Sequence, residues 1–544
     1  MTGRLKALGN VEPSVTGCLL TIVASLFLLI IGADVVFAQG GGTLLGQAAQ
    51  VAPPQLYVPQ FSAAPAAPSA AQIAASEAYM ARSEARWAAR TLPISAAPVA
   101  GPALGTDTAG AGPAPQAPGT FTKFRASKLG PSTGSSNINE PSVAQAGQNV
   151  VYTGNWYAAR STDAGATWSY VNPYADFADF CCDQDVVYDK GRDIFLWFRQ
   201  GVVPFSGTQN VFKLGVSGNG GASFCTYTVA PTNVSGVFTN REFDYPHLAL
   251  SNNFLYISTN MFFTGGDFDQ MLLLRWPLDA LATCSGFSYS FWGASTGWTW
   301  TPVENGVTTQ MYLGDHVDTS TFRVYRQPES STTLFWVDRT IDAWTFTNRD
   351  GSCPVLGGRN PCLRADQRVL SGWVRSLGDG QEGEREIGFF WNVKEGGGFP
   401  FPYVNAAVFR ERDQVYTGQP LIWNENYAWH YAAAAPNRRG DLGIGVFLFA
   451  SNANPQYWIG VDDDYNGAPP GWEVYLAKAS SGAPSGDSWG DYIRVRLLDP
   501  VGVGWVGTGY FRKFNGVTTK SKPYFVIFGR ERDTEGILRS MNAP

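Results

Sequence analysis

The chain has 544 residues with 39 basic and 45 acidic side chains, a formal net charge of −6, and only 15% charged residues. A mildly acidic chain without a basic tract excludes nucleic acid as an electrostatic partner. Its 18 Trp, 23 Tyr, 34 Phe and 61 Gly suit many short strands joined by tight turns, so one large all-β unit is expected rather than several small domains.

Arg4 and Lys6 precede an apolar run from Gly17 to Ile31, and Val36-Phe37-Ala38 follows it. Residues 1–38 therefore read as a signal peptide cleaved before Gln39 or, because the run approaches spanning length, as an uncleaved membrane anchor. Either reading puts the remainder outside the cytoplasm, secreted or tethered to the cell surface, with the membrane engaged only through that first segment. From 39 to 119 Ala, Pro and Gly dominate, which predicts a linker that buries too little apolar surface to offset its ordering entropy. Inside it, Ser69 to Arg90 lacks Pro and Gly and predicts one short solvated helix, a stalk element.

Beyond Cys18 the cysteines are Cys181, Cys182, Cys225, Cys284, Cys353 and Cys362, an even set that predicts disulfides in an oxidising compartment. Cys353 and Cys362 bracket Gly357-Gly358 and are the first expected pair. Cys181 and Cys182 either bond each other, making a rigid turn with an apolar sulfur surface suited to a sugar ring, or bond separately to partners such as Cys225 and Cys284.

Residues 120–544 repeat a pattern of polar residues, a hydrophobic inner strand, a turn and further strands. Copies start at Glu140, Asp183, Tyr245, Asp315, Val369, Trp429 and Asp491. Second strands are read at 194–198, 254–258, 333–337 and 442–449, each short and rich in aromatic or β-branched side chains. The spacing predicts an all-β propeller of seven blades, with six as the alternative.

Two turns carry a shared signature. Ser161-Thr162-Asp163-Ala164-Gly165-Ala166-Thr167-Trp168 is followed by Ser217-Gly218-Asn219-Gly220-Gly221-Ala222-Ser223-Phe224. Asp163 or Asn219 would bond to amides of its own turn, glycine would accept positive φ, and the aromatic would bury one face. The pattern resembles the Asp box of bacterial sialidases and other BNR-repeat proteins, a family of β-propellers, and the resemblance implies that fold here. Sialidases of the family hold the substrate carboxylate with three arginines, one in a Phe/Tyr-Arg-Ile-Pro motif, and use an Asp acid/base with a Tyr/Glu pair. Here Phe124-Arg125-Ala126-Ser127 lacks the Ile-Pro, so no catalytic residue carries over.

The chain has three histidines, His247, His316 and His430, each just before a predicted inner strand, and Ser142 and Asp185 hold that register in other repeats. Inner strands line one channel, so these side chains are expected to converge at its mouth beside Cys181-Cys182-Asp183. There they would supply acid/base groups or hold a transition metal; the alternative is that they tie neighbouring inner strands together by hydrogen bonds. Asp183 and Asp185 would be the paired carboxylates of glycoside cleavage. Separately, Asp462, Asp464, Asn466 and Glu473 have the spacing of a calcium loop between strand-like flanks, predicting a structural calcium or else a solvated acidic loop. Asn233-Val234-Ser235 matches a glycosylation sequon.

These features predict an exported sialidase-like propeller that acts on or binds extracellular carbohydrate, as a glycoside hydrolase or lyase. The alternative is a non-catalytic propeller that binds a glycan or surface protein.

Overall fold

The computed structural model describes residues 41–89, 92 and 121–544, apart from 43, 131–134, 205–206, 307, 347–350, 364, 378–383, 464, 466–471, 485 and 488. Residues 1–38, read above as signal peptide or anchor, lie outside them. Among the described residues, no helix is long and apolar enough to cross a membrane.

Antiparallel strands form seven sheets, each the blade of a β-propeller, numbered 1 to 7 by their inner strands Ser142–Ala146, Phe180–Asp189, Arg241–Leu250, Thr301–Pro302, Val369–Ser376, Ala428–Pro436 and Val495–Leu497. Blade 2 shows the plan: inner strand Phe180–Asp189, then Ile194–Gly201, Phe212–Ser217 and Phe224–Val229 outward in sequence order. Its side chains alternate as the pleat requires. Val186, Phe195 and Trp197 pack with Ala144 and Val151 of blade 1, whereas Val187, Leu196 and Phe198 pack with Phe243 and Leu248 of blade 3. Strands apolar on both faces are thus sandwiched between neighbouring blades, which is why their sequences read as continuous hydrophobic runs. Each such fully buried large side chain contributes roughly 1.5–3 kcal/mol.

The ring closes where blade 7 is built from both parts of the chain. Val495–Leu497, Trp505–Phe514 and Thr519–Arg530 form its inner three strands, and Phe121–Lys128 pairs with Thr519–Arg530 as the outer one. The inner strands begin within four residues of where the repeats place them, except in blade 4. There the inner strand is Thr301–Pro302, and His316 lies in the second strand, Gln310–Asp318. Leu334–Thr340 is likewise the fourth strand of that blade rather than its second. The buried second strand has the stronger hydrophobic pattern, and the two-residue inner strand has too little to mark it.

The Ala/Pro-rich segment departs from the linker expected of it. Gly41–Gly42, Leu44–Val51, Gln55–Tyr57 and Phe61–Ser62 add fifth strands to blades 4, 3, 2 and 1 in that order, so the chain runs backwards round the rim. An open strand edge offers backbone N–H and C=O groups, and pairing with it needs no apolar side chains. The helix expected from Ser69 forms as Ala70–Ala88, with Ser69 and Gln72 making a reciprocal capping box. It is not solvated all round: Ser76, Tyr79 and Trp87 are buried.

The two signature turns occupy the same place, between the third and fourth strands of blades 1 and 2, with matching hydrogen bonds. The Gly165 N–H donates to Ser161 Oγ at 2.8 Å and the Thr167 N–H to Asp163 Oδ1 at 2.8 Å. In the second copy the Gly221 N–H donates to Ser217 Oγ at 2.9 Å and the Ser223 N–H to Asn219 Oδ1 at 3.0 Å. Gly165, at φ 82°, lies against Phe525 of blade 7, where Trp168 also packs. The cysteines pair as Cys181–Cys182, Cys225–Cys284 and Cys353–Cys362.

Candidate active site

Inner strands of several blades lose register at the same end of the channel. Irregularities fall between Phe180 and Gln184 in blade 2, Asp244 and His247 in blade 3, and His430 and Ala433 in blade 6. Tyr245 and Tyr431 sit in these interruptions at φ 59° and 61°, a left-handed conformation that costs a non-glycine residue energy. Such bulges re-aim side chains. In blade 2 the residues set free are Cys181, Cys182 and Asp183.

Below them the channel is closed by a buried ion network. Asp185 accepts the Ser142 hydroxyl at 2.6 Å and the Leu248 N–H at 2.9 Å, and faces Arg494 at 3.4 Å and Arg496 at 3.2 Å. Burial pushes the Asp185 carboxyl up, but Arg494, Arg496 and these donors hold it below its ordinary value. Glu304 lies 3.1 Å from Arg494 and 2.6 Å from His247 Nδ1. Burial keeps the His247 imidazole below its usual pKa despite Glu304.

The other histidines occupy different surroundings. His316 is boxed by Phe322, Trp344 and Trp391, with ring centroids 5.2, 4.9 and 4.8 Å away, and burial pushes it down to about 3. His430 lies beside Cys353 and Cys362 and is also pushed by burial to about 3. Among the described residues, that trio is the one grouping of His, Cys, Asp and Glu ligand atoms close enough for a metal ion, and its two sulfurs are already joined in a disulfide. The three imidazoles are not brought together.

In the acidic loop, Asp462 pairs with Arg375 at 2.9 Å and Glu473 with Arg530 at 2.5 Å, while Asp464 and Asn466 lie outside the described residues. A calcium ion bound by Asp462 and Glu473 would have to share their carboxylates with these guanidinium groups or displace them.

What converges at the mouth is a set of carboxylates. Glu140 accepts the Asn155 amide at 2.8 Å and the Asp491 N–H at 3.0 Å, and the side chains of Glu140 and Asp183 hydrogen-bond each other. Burial, helped by the charge of Asp491, pushes Glu140 up to about 7. Asp183 is pushed well above the usual carboxyl range by burial and by Glu140, Asp244 and Asp491. Neighbouring carboxyls oppose each other's ionisation, which favours a proton held between the pair. Arg368, 2% exposed, donates to Asp491 at 2.6 Å and to Asp366 at 2.8 Å, yet its Nη1 has no hydrogen-bond partner. The Tyr245 hydroxyl beneath that guanidinium is equally unpartnered.

Sequence reasoning singled out Asp183 but passed over Glu140, Asp244, Arg368 and Asp491. A signal existed for two of them, since Glu140 and Asp491 head their repeats just as Asp183 does.

The N-terminal helix lies over this site. Tyr79 Oη donates to the Phe243 carbonyl at 2.9 Å, Ser83 Oγ to Asp244 at 2.5 Å, and Ser76 Oγ accepts the Trp156 indole N–H at 3.1 Å. Arg86 pairs with Glu242. Beneath the helix a cavity of about 40 Å³ remains, lined by Asp183, Glu140, Asp244, Asp491 and Arg368 among others. A larger cavity of about 750 Å³ opens at the opposite end of the channel. Of its basic side chains, Arg375 pairs with Glu386, Arg385 with Glu411 and Lys190 with Asp499, while Arg438 donates to the Pro500 carbonyl; neither Glu140 nor Asp183 lines it.

No protein-family model matches the chain, and no curated protein matches it. Solved structures do. A Dyadobacter fermentans protein of unknown function is 10% identical with a TM-score of 0.37, over 76% of this chain and 100% of that one. A Trypanosoma rangeli sialidase is 13% identical with a TM-score of 0.32, over 57% of this chain and about half, 51%, of its own. A Penicillium chrysogenum α-L-arabinanase complexed with arabinobiose is 11% identical with a TM-score of 0.36, over 76% of this chain and 98% of that one. At these identities no substrate passes from those proteins to this chain.

Proposed function

We propose that the propeller is an extracytoplasmic glycoside hydrolase whose reaction takes place at the channel mouth, with Asp183 as general acid. The feature that carries this reading is the placement of Glu140, buried, and Asp183, half-buried, together at the cavity beneath the helix, where burial and neighbouring carboxylates push both carboxyls up. Glycosidic bonds break when such an acid protonates the leaving oxygen while a second carboxylate faces the charge that develops on the sugar. Asp491, whose side chain is 39% exposed and lines the same cavity, is the second carboxylate. Glu140 acts through Asp183, holding its proton in place. Trp156, Tyr245 and Trp489 supply aromatic surface near the mouth, suited to sugar rings. Carboxylates predominate, and Arg368 is already engaged by Asp366 and Asp491, so the substrate is a neutral or amino sugar rather than an acidic one. Three disulfides fit an oxidising compartment.

The test is reducing-end release from a panel of neutral polysaccharides. It is run on the full chain, on Ser83→Pro, which breaks the overlying helix, and on each combined with Asp183→Asn. Turnover that falls about 100- to 10,000-fold with Asp183→Asn supports the reading. Binding without turnover, unchanged by Asp183→Asn, would leave a glycan-binding propeller instead.

A further inference from the structure

The helix Ala70–Ala88 stands where a substrate would have to stand. The cavity beneath it, about 40 Å³, is far below the roughly 300–1,000 Å³ of small-molecule sites. No sugar reaches Asp183 while the helix is seated.

The contacts of the helix are those of an occupant rather than of a structural layer. It contributes no strand to any blade. Its side toward the mouth presents hydroxyls, Ser76, Tyr79 and Ser83, to an indole N–H, a backbone carbonyl and a carboxylate, which are the partners a polyol would use. Tyr79 and Met80 pack on the Cys181–Cys182 disulfide. A second apolar anchor is Trp87, in the last turn of the helix, which meets Tyr245 and Phe262. The fit is also incomplete. Arg368 Nη1, Glu242 Oε2 and the Tyr245 hydroxyl remain buried without partners under or beside the helix. A ligand able to satisfy them competes with the helix on favourable terms. The rim strands that precede the helix, from Gly41–Gly42 to Phe61–Ser62, hold the chain on the blade edges, so a displaced helix stays tethered beside the mouth.

We propose that this helix is an intramolecular plug that masks the channel-mouth site and must leave it for carbohydrate to enter. The proposal rests on the reading of that mouth as the active site, and its test separates the two. Carbodiimide coupling of a small amine to Asp183 and Glu140 is followed by peptide mass spectrometry in the full chain, in Ser83→Pro and in Arg86→Glu/Trp87→Ala, alongside turnover of the polysaccharide panel. A plug predicts that both carboxyls are protected in the wild type and label at least 10-fold faster in both variants, with turnover rising by a similar factor. Faster labelling without turnover of any substrate keeps the plug and removes the hydrolase reading. Equal labelling in wild type and variants overturns the plug, as does measurable turnover that is equal in wild type and variants. Should the variants unfold, hydrogen exchange on the wild type decides. Amides of 70–88 must open at least 10-fold more often than those of the inner strands, and exchange only through global unfolding overturns the proposal.

Discussion

Asp185 of blade 2 and Arg494 of blade 7, 309 positions apart in the chain, meet 3.4 Å apart in the channel with neither side chain exposed. This contact and its neighbours tie blades 1, 2, 3 and 7 together through one carboxylate. Removing one member of a buried charged network leaves the rest uncompensated. Asp185→Ala is therefore expected to cost roughly 3–5 kcal/mol, read as a lowered denaturant midpoint. Asp183→Asn, two residues away, is expected to leave the midpoint nearly unchanged. Equal midpoints for the two variants would show that the network carries no load.

The pH dependence has two opposing parts. Glu140 is raised from 4.5 to about 7 on folding, so its contribution is fully present below about 4.5 and is lost as pH rises through about 7. Its replacement in Glu140→Gln should remove that loss, so the melting temperatures of variant and wild type should diverge between pH 4.5 and 7. Parallel curves would mean that Glu140 titrates normally.

His316 works the other way. Its folded value of about 3 against an ordinary 6.5 means that the unfolded chain takes up protons first, so stability is present above 6.5 and is lost as pH falls towards 3. At pH 5 the loss is about 2 kcal/mol for this histidine. His316→Phe, placed among Phe322, Trp344 and Trp391, should flatten the acid limb of a stability profile measured from pH 7 to pH 5.

The blade 1 turn docks on blade 7 through Gly165. A Cβ there would meet Phe525 Cε1 at 2.2 Å, and the φ of 82° is strained for any L side chain. Gly165→Ala should therefore destabilise by more than about 1 kcal/mol in equilibrium denaturation. Gly218→Ala, whose Cβ meets only Ile194 at 4.0 Å, is the control expected to change little.

Chelation tests the acidic loop. With Asp462 and Glu473 held by Arg375 and Arg530, EDTA should leave the melting temperature unchanged, and Arg530→Gln should lower it. A drop on chelation, restored by calcium, would show that the loop binds the ion after displacing the arginines.

Local patterns set much of this molecule. Runs such as Ile194-Phe195-Leu196-Trp197-Phe198, short, rich in aromatic and β-branched side chains and separated by turns, read as strands covered on both faces, and their repetition sets the blade architecture. The Ser161–Trp168 turn and the Cys353–Cys362 pair are likewise short-range and legible, because all their partners lie within a few residues. Asp183 stood out in the sequence, but its partners did not. Glu140 and Asp491 head their repeats as Asp183 does, but nothing local distinguishes Asp244 and Arg368 from surface charges, and nothing local says that the four meet. Histidines that share a register in the sequence were sent to separate environments by the bulges in blades 3 and 6 and by the two-residue inner strand of blade 4. Composition reports apolar burial and not backbone pairing, so the Ala/Pro-rich segment reads as a linker although its strands pair along the blade edges. The sequence by itself determined the blades, the turns and one acid. Ring closure alone decided which carboxyls meet, because proximity across a channel depends on every blade between them, and it alone placed a helix over the mouth they form.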